Sequence, residues 1–158
     1  PVPINARAET LMEWPFFRSA VRQSRCLIPA DGFFEWQARR DRGGKQPMYI
    51  RLADGDLFAL AGLYTPAGAD GAGGTCAIIT TAPNRLMQPI HVHDRMPAIL
   101  DRADEVRWLD PDLTESEAVL DCLRPYPAEA MAAYPVSTRV NAPQNEGPEL
   151  IAALAGAS

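Results

Sequence analysis

Residues 47–65 read PMYIRLADGDLFALAGLYT. Two apolar arms, rich in β-branched and aromatic residues, flank Asp54-Gly55, a dipeptide suited to turns whose central residues need positive φ. The stretch predicts a β-hairpin with its tip at Asp54-Gly55. Upstream, RCLIPADGFFEWQAR (25–39) predicts two strand segments broken by the Pro29 to Gly32 turn. Downstream, TCAIITT (75–81) reads as a buried strand, and RMPAIL (95–100) and YPVSTRV (134–140) as further strands. Helices are fewer and lie between them. A short helical turn is expected over Ala8 to Glu13, and a helix over PFFRSAVRQ (15–23), with proline at its first position. Shorter ones are expected over APNRLMQ (82–88), TESEAVLDCLR (114–124), which opens on a Thr-x-x-Glu capping box, and GPELIAALAG (147–156). The sum is an α+β domain, β-rich, with peripheral helices.

With 158 residues the chain is the size of one domain, 1–158, and shows no internal repeat or linker. A hydrophobic fraction of 47% and a charged fraction of 22% exclude wholesale disorder. Fifteen prolines imply many turns and short elements. No apolar run is long enough for a membrane span and no signal segment opens the chain, so no membrane partner is expected and the localisation read is cytoplasmic. Cys26, Cys76 and Cys122 are odd in number and widely spaced, which suggests neither a disulfide framework nor a structural zinc site. The glycine-rich stretch AGADGAGG (67–74) lacks the Gly-Lys-Ser/Thr ending of a phosphate loop and reads as a surface loop.

The net charge of −5 speaks against a polyanionic partner, but its distribution does not. Residues 1–51 carry nine Lys/Arg against five Asp/Glu, whereas residues 52–158 carry six against fifteen. All but one of the basic residues are arginine, whose planar fork suits phosphate. A phosphate-binding face on an acidic body and a solvated Arg-rich surface both fit this pattern.

Three stretches place ionisable or amide side chains beside turns. In INARAET (4–10), Asn5 offers an amide, and Arg7 points the same way if the segment is extended. In PADGFFEW (29–36), Glu35 lies among Phe33, Phe34 and Trp36, where apolar surroundings would raise a carboxyl pKa toward the range of acid-base catalysis. Strand alternation puts Glu35 on the face opposite Phe34 and Trp36; an exposed Glu on a half-buried strand is the plainer reading. In IHVHDRMP (90–97) stand both histidines of the chain, His91 and His93. They could bind a metal together with Asp94 and Glu35, though every further ligand would have to be a carboxylate. The better fit is a histidine that moves a proton beside an arginine that holds a phosphate, because His93 and Arg95 alternate onto one face.

NARAET, RCLIPADGFFEW, FALAGLY, IITTAPN, HDRMPAIL and the closing VN…NEGPELI, in this order and over nearly the whole chain, resemble the signature blocks of the SOS response-associated peptidase (SRAP) family. Members attach themselves to abasic sites in single-stranded DNA. The resemblance implies a β-rich fold of mixed and antiparallel strands with a barrel-like core. It implies catalytic roles for Asn5, which positions the nucleophile, for Glu35, an acid-base group, and for His93, which assists opening of the abasic sugar to its aldehyde. Arg7 and Arg95 match arginines that grip the DNA backbone, and Trp36 matches an aromatic near the lesion. No metal and no cofactor are implied.

Two departures accompany the resemblance. One histidine is expected where His91 and His93 both stand; adjacency to DRMP selects His93. The family nucleophile is a cysteine at the new N-terminus, whose amine and thiol condense with the aldehyde to a thiazolidine and which also serves autoproteolytic removal of the initiator Met. This sequence begins at Pro1, and none of its cysteines stands in a matching context. The expectation is an N-terminally truncated SRAP-like domain, nucleoid-associated, that binds single-stranded DNA with abasic sites but lacks the cross-linking nucleophile, and that self-associates through exposed strand edges. A non-catalytic single-stranded nucleic-acid-binding module and a metal-dependent hydrolase using His91 and His93 are the rival readings.

Overall fold

A computed structural model describes residues 3–39, 43–67, 73–90, 94–114 and 116–155. They fall into two compact units, each stitched from three stretches of chain. The first takes Pro1–Ala30, Phe58–Ala82 and Arg95–Tyr126; the second takes Asp31–Leu57, Pro83–Asp94 and Pro127–Ser158.

The first unit is built on a mixed six-stranded sheet: β1 (Asn5–Arg7), β2 (Arg25–Ala30), β5 (Phe58–Thr65), β6 (Thr75–Thr81), β7 (Met96–Pro97) and β8 (Ile99–Leu100). The path runs β1-β6-β5-β2, with β7 added to β6 and β8 to β5. Among the described residues the β1–β6 pair is the parallel one of this sheet, with Asn5 opposite Ile78 and Arg7 opposite Thr80. The first six residues of β5 are buried without a break, the continuous apolar run of a strand covered on both faces. Gly62 sits in that strand because a Cβ there would come within 2.8 Å of Ile28 Cδ1 and 2.9 Å of Cys26 Sγ on β2.

Two helices of eight or more residues pack on this sheet. Helix α1 (Pro15–Gln23) starts on proline as the sequence predicts and turns Phe17, Ala20 and Val21 toward the core. Helix α2 (Arg102–Leu109) has no counterpart in the sequence reading, although its cap is legible: the Asp101 carboxylate accepts from the Asp104 N–H at 2.8 Å. Trp108 of α2 is fully buried, and its indole N–H donates to the Cys26 carbonyl at 3.0 Å. Arg25 binds the three elements together by donating to the carbonyls of Val21, Trp108 and Asp110. Asp104, buried, accepts from Arg107 and Arg124, both at 2.7 Å.

The second unit carries a three-stranded antiparallel sheet, β3 (Phe33–Ala38), β4 (Lys45–Leu52) and β9 (Met131–Pro135), with β4 in the middle. Phe34, Tyr49 and Tyr134 form a row across it, ring centroids 5.3 and 5.7 Å apart. Gly32, just before β3, is the second glycine fixed by crowding, since a Cβ there would lie 2.3 Å from Tyr49 Cζ. Burial first, then the charge and hydrogen bond of Asp31, push the Tyr49 hydroxyl up to a pKa of about 12.

The α+β class is borne out, and several element assignments are corrected. Residues 47–65 are two strands, but not a hairpin: β4 pairs with β3 and β9, while β5 pairs with β2, β6 and β8. A turn does form here and Gly55 adopts φ 83°, but the Gly55 N–H donates to the Leu52 carbonyl, so Ala53 and Asp54 are the central residues, with Gly55 closing the turn and the Asp54 carboxylate accepting from the Asp56 N–H. RMPAIL is split at Ala98, whose N–H serves Ile79 of β6 and whose carbonyl serves Ala61 of β5. Residues 85–90 form turns instead of a helix, because the Asn84 side chain accepts from the N–H groups of Leu86 and Met87. Helix α3 covers Ser116–Leu120, and the expected helix does not continue through 121–124. The expected strand at 134–140 lies earlier, at Met131–Pro135, and gives way to a 3₁₀ turn at Thr138–Asn141. The closing helix is a 3₁₀ turn, Pro148–Ile151, followed by a single bridge between Ala153 and Val136. Most of the loop at 67–74 lies outside the described residues.

Candidate nucleic-acid interface

In the first unit, the candidate residues gather on and beside β1. Asn5 and Arg7 are both exposed while Ala6 between them is 3% exposed, the alternation expected of an extended segment. Arg95 precedes β7, which pairs with the same strand, β6, that carries β1. Its guanidinium is held on two sides. The Glu9 carboxylate, on the 3₁₀ turn Ala8–Thr10 that follows β1, receives Nη1 and Nη2 at 2.8 Å each, a bidentate ion pair. Thr80 of β6 accepts from Nη2 at its carbonyl, 2.5 Å, and from Nε at its hydroxyl, 3.3 Å. The hydrogen bond from Arg95 outweighs the desolvation that opposes it and, with smaller help from a backbone hydrogen bond and the positive fields of Arg95 and Arg7, holds the Glu9 carboxyl below the usual carboxylate range.

In the second unit, Glu35 and Trp36 are neighbours on β3, paired with Met48 and Pro47 of β4. Glu35 is half-buried, so the picture of an exposed carboxylate on a half-buried strand is corrected. Strand geometry keeps it on the face opposite Phe34 and Trp36. The Trp36 indole N–H donates to the Asn141 side-chain oxygen at 2.8 Å, which fixes the plane of the ring. His91 and His93 lie outside the described residues. Asp94, next to them, adopts φ 50°, a left-handed conformation that Asp tolerates better than most residues.

Asn5, Arg7 and Arg95 are thus brought together in one unit, and Glu35 and Trp36 in the other. Sequence reasoning passed over Glu9, Thr80 and Asn141. Each stands inside a quoted block, NARAET, IITTAPN or VN, but Glu9 meets Arg95 across 86 positions and Asn141 meets Trp36 across 105, separations that no local pattern reveals.

The cysteines differ in environment: Cys76 is exposed, Cys26 half-buried and Cys122 buried. Burial raises the thiol pKa of Cys26 and of Cys122, so neither is a ready thiolate. Among the described residues, which exclude both histidines, no group of three or more His, Cys, Asp or Glu side chains could hold a metal ion. Among them, too, no helix is long and apolar enough to cross a membrane.

The sequence model of the SOS response associated peptidase (SRAP) family matches residues 1–143. The chain belongs to this family. The SRAP assignment is supported by relatives of known name. Abasic site processing protein YoqW of Bacillus subtilis (strain 168) is 51% identical over 152 residues, 94% of this chain and 66% of that protein. Abasic site processing protein HMCES of Xenopus tropicalis is 34% identical over 172 residues, 95% of this chain and 50% of that protein. A crystal structure of a protein from Bacteroides thetaiotaomicron superposes with a TM-score of 0.84 at 34% identity, covering 95% of this chain and 65% of its own, so the fold has a solved counterpart. The chain therefore spans between half and two thirds of the length of these relatives.

Proposed function

We propose that this chain forms the part of a DNA-damage-response SRAP protein that binds single-stranded DNA at abasic sites, and that the whole protein bonds covalently to the lesion. The supporting observation is the exposed pair Asn5 and Arg7 on β1 beside an Arg95 held in a fixed orientation, in a chain half identical to an abasic site processing protein. Arg7 and Arg95 meet backbone phosphate. Trp36, its indole held by Asn141, offers a flat face on which a base beside the lesion stacks.

The chemistry follows from the lesion. An abasic deoxyribose is a cyclic hemiacetal in equilibrium with an aldehyde. Opening it requires a proton to leave the C1′ hydroxyl and one to reach the ring oxygen, the work proposed for Glu35 and His93. A terminal amine then adds to the aldehyde and loses water to give an imine. A neighbouring thiol closes onto the imine carbon to give a thiazolidine. Asn5 orients the attacking amine. The nucleophile is an N-terminal cysteine of the whole protein; none of Cys26, Cys76 and Cys122 is assigned that role. The same terminal cysteine serves removal of the initiator Met, the peptidase activity of the family name.

The test uses this chain and a single-stranded oligonucleotide from which one uracil has been excised. The expected result is a salt-sensitive shift on a native gel and no heat-stable band on a denaturing gel. A heat-stable band that disappears on replacing any one of the three cysteines by serine would overturn the assignment of the nucleophile. Binding that does not distinguish abasic from intact single strands would favour the rival reading of a general single-stranded nucleic-acid module.

A further inference from the structure

Glu9 puts a negative charge on the face where a polyanion is proposed to bind. By Coulomb's law alone it should weaken DNA binding. Its geometry points the other way. The two 2.8 Å contacts from Glu9, with the Thr80 carbonyl and hydroxyl, occupy four of the five guanidinium N–H groups of Arg95 and leave one on Nη1. The Arg95 side chain is 18% exposed and the Glu9 side chain 50%, so the pair lies at the surface with the arginine beneath its partner. Arg7, exposed on the strand leading into Glu9, is close enough to act on the same carboxyl group.

A half-exposed pair contributes little to stability, because solvent screens it and both side chains lose rotamer freedom. Pre-organising a long arginine has a different return: a ligand that arrives no longer has to immobilise it. The Glu9–Arg95–Thr80 arrangement also joins three segments, the turn after β1, the end of β6 and the entry to β7, so it fixes the β1 edge bearing Asn5 and Arg7.

Resting on the reading of this face as an abasic-DNA site, we infer that Glu9 is a positioning residue for DNA: it aims the remaining N–H of Arg95 at a backbone phosphate beside Arg7, and this gain outweighs the repulsion of its own charge. The sign of the effect separates positioning from simple electrostatics.

The experiment measures binding of this chain to a fluorescent single strand carrying one tetrahydrofuran, an abasic analogue with no aldehyde and hence no covalent step. Glu9→Gln removes a negative charge and one half of the fork; binding is expected to weaken about tenfold, the scale of one charge-assisted hydrogen bond. Glu9→Asp should recover part of the loss. In an Arg95→Lys background, which keeps the charge but has no fork, Glu9→Gln should cause no further weakening. Unchanged or tighter binding by Glu9→Gln, with wild-type binding intact, overturns the inference alone, as does an equal loss in the Arg95→Lys background. A wild-type chain that ignores the oligonucleotide at low salt overturns the functional reading and this inference with it. Thermal melting of each variant guards against a folding defect, and the double variant keeps the comparison decisive if one single variant is unstable.

Discussion

Individual residues carry constraints that composition does not show. Gly32 is one. It needs no positive φ; it needs the absence of a Cβ, because the Tyr49 ring occupies that space. Gly32→Ala should therefore destabilise by about 1–3 kcal/mol, as overpacking does, in a urea titration followed by fluorescence. The PADG stretch was readable as a turn, yet the reason for its glycine was not, since the crowding atom comes from the next strand. Tyr49 supplies a second test. With a pKa of about 12 against an ordinary 10.0, its phenol should contribute an ionisation near pH 12 to an alkaline absorbance titration, one that Tyr49→Phe removes. The sign follows from linkage: the folded state holds this proton more tightly, so the contribution is intact below pH 10 and is lost as pH rises from about 10 to about 12. For Glu9 the direction is opposite. Its carboxyl pKa is lowered in the folded state, so the stabilisation is present above the unfolded value of 4.5 and is lost as pH falls through the lower, folded one.

At the scale of elements, the structure separates what local pattern encodes from what it cannot. Helix α1 was legible to the residue because proline fixes its first position and an apolar stripe follows. Helix α2 was missed because it presents little amphipathic contrast: Val106 is exposed, Trp108 is buried, and charges lie between. Its start nevertheless depends on the Asp101 cap, and Asp101→Ala should cost about 1 kcal/mol in chemical denaturation. Arg25 is one of the nine basic residues of 1–51, but its guanidinium serves the carbonyls at the ends of α1 and α2. Arg25→Met should leave those acceptors unsatisfied, costing roughly 1–3 kcal/mol without changing the salt dependence of DNA binding. The supposed hairpin shows the converse limit. Asp54-Gly55 does mark a turn, centred one residue earlier than a hairpin would need, but a turn does not dictate that its two flanking strands pair, and here they enter different sheets.

For the molecule as a whole, the charge asymmetry read from the sequence divides once side chains are placed. Arg25, Arg107 and Arg124 are engaged by backbone carbonyls or by buried Asp104, whereas Arg7 stands exposed at the proposed interface. Phosphate neutralisation releases counterions, so Arg7→Ala should flatten the plot of log affinity against log salt by about 0.7 on single-stranded DNA. The candidate residues themselves were legible because they sit in ordered blocks whose sequence survives without the fold. Their partners were not, because Glu9–Arg95 and Trp36–Asn141 are contacts between blocks.

The parallel pairing of β1 with β6 also has a meaning in time. Asn5 and Arg7 are among the first residues a ribosome would make of this stretch, yet the strand that seats them ends at Thr81, and the arginine that Glu9 holds comes later still. Until those residues emerge, the edge that bears Asn5 has nothing to lie against, and closing so long a loop makes such contacts slow to form. During synthesis the proposed DNA face is therefore among the last surfaces of its unit to exist, and a nascent chain stalled before β6 would carry the residues of the site without the site.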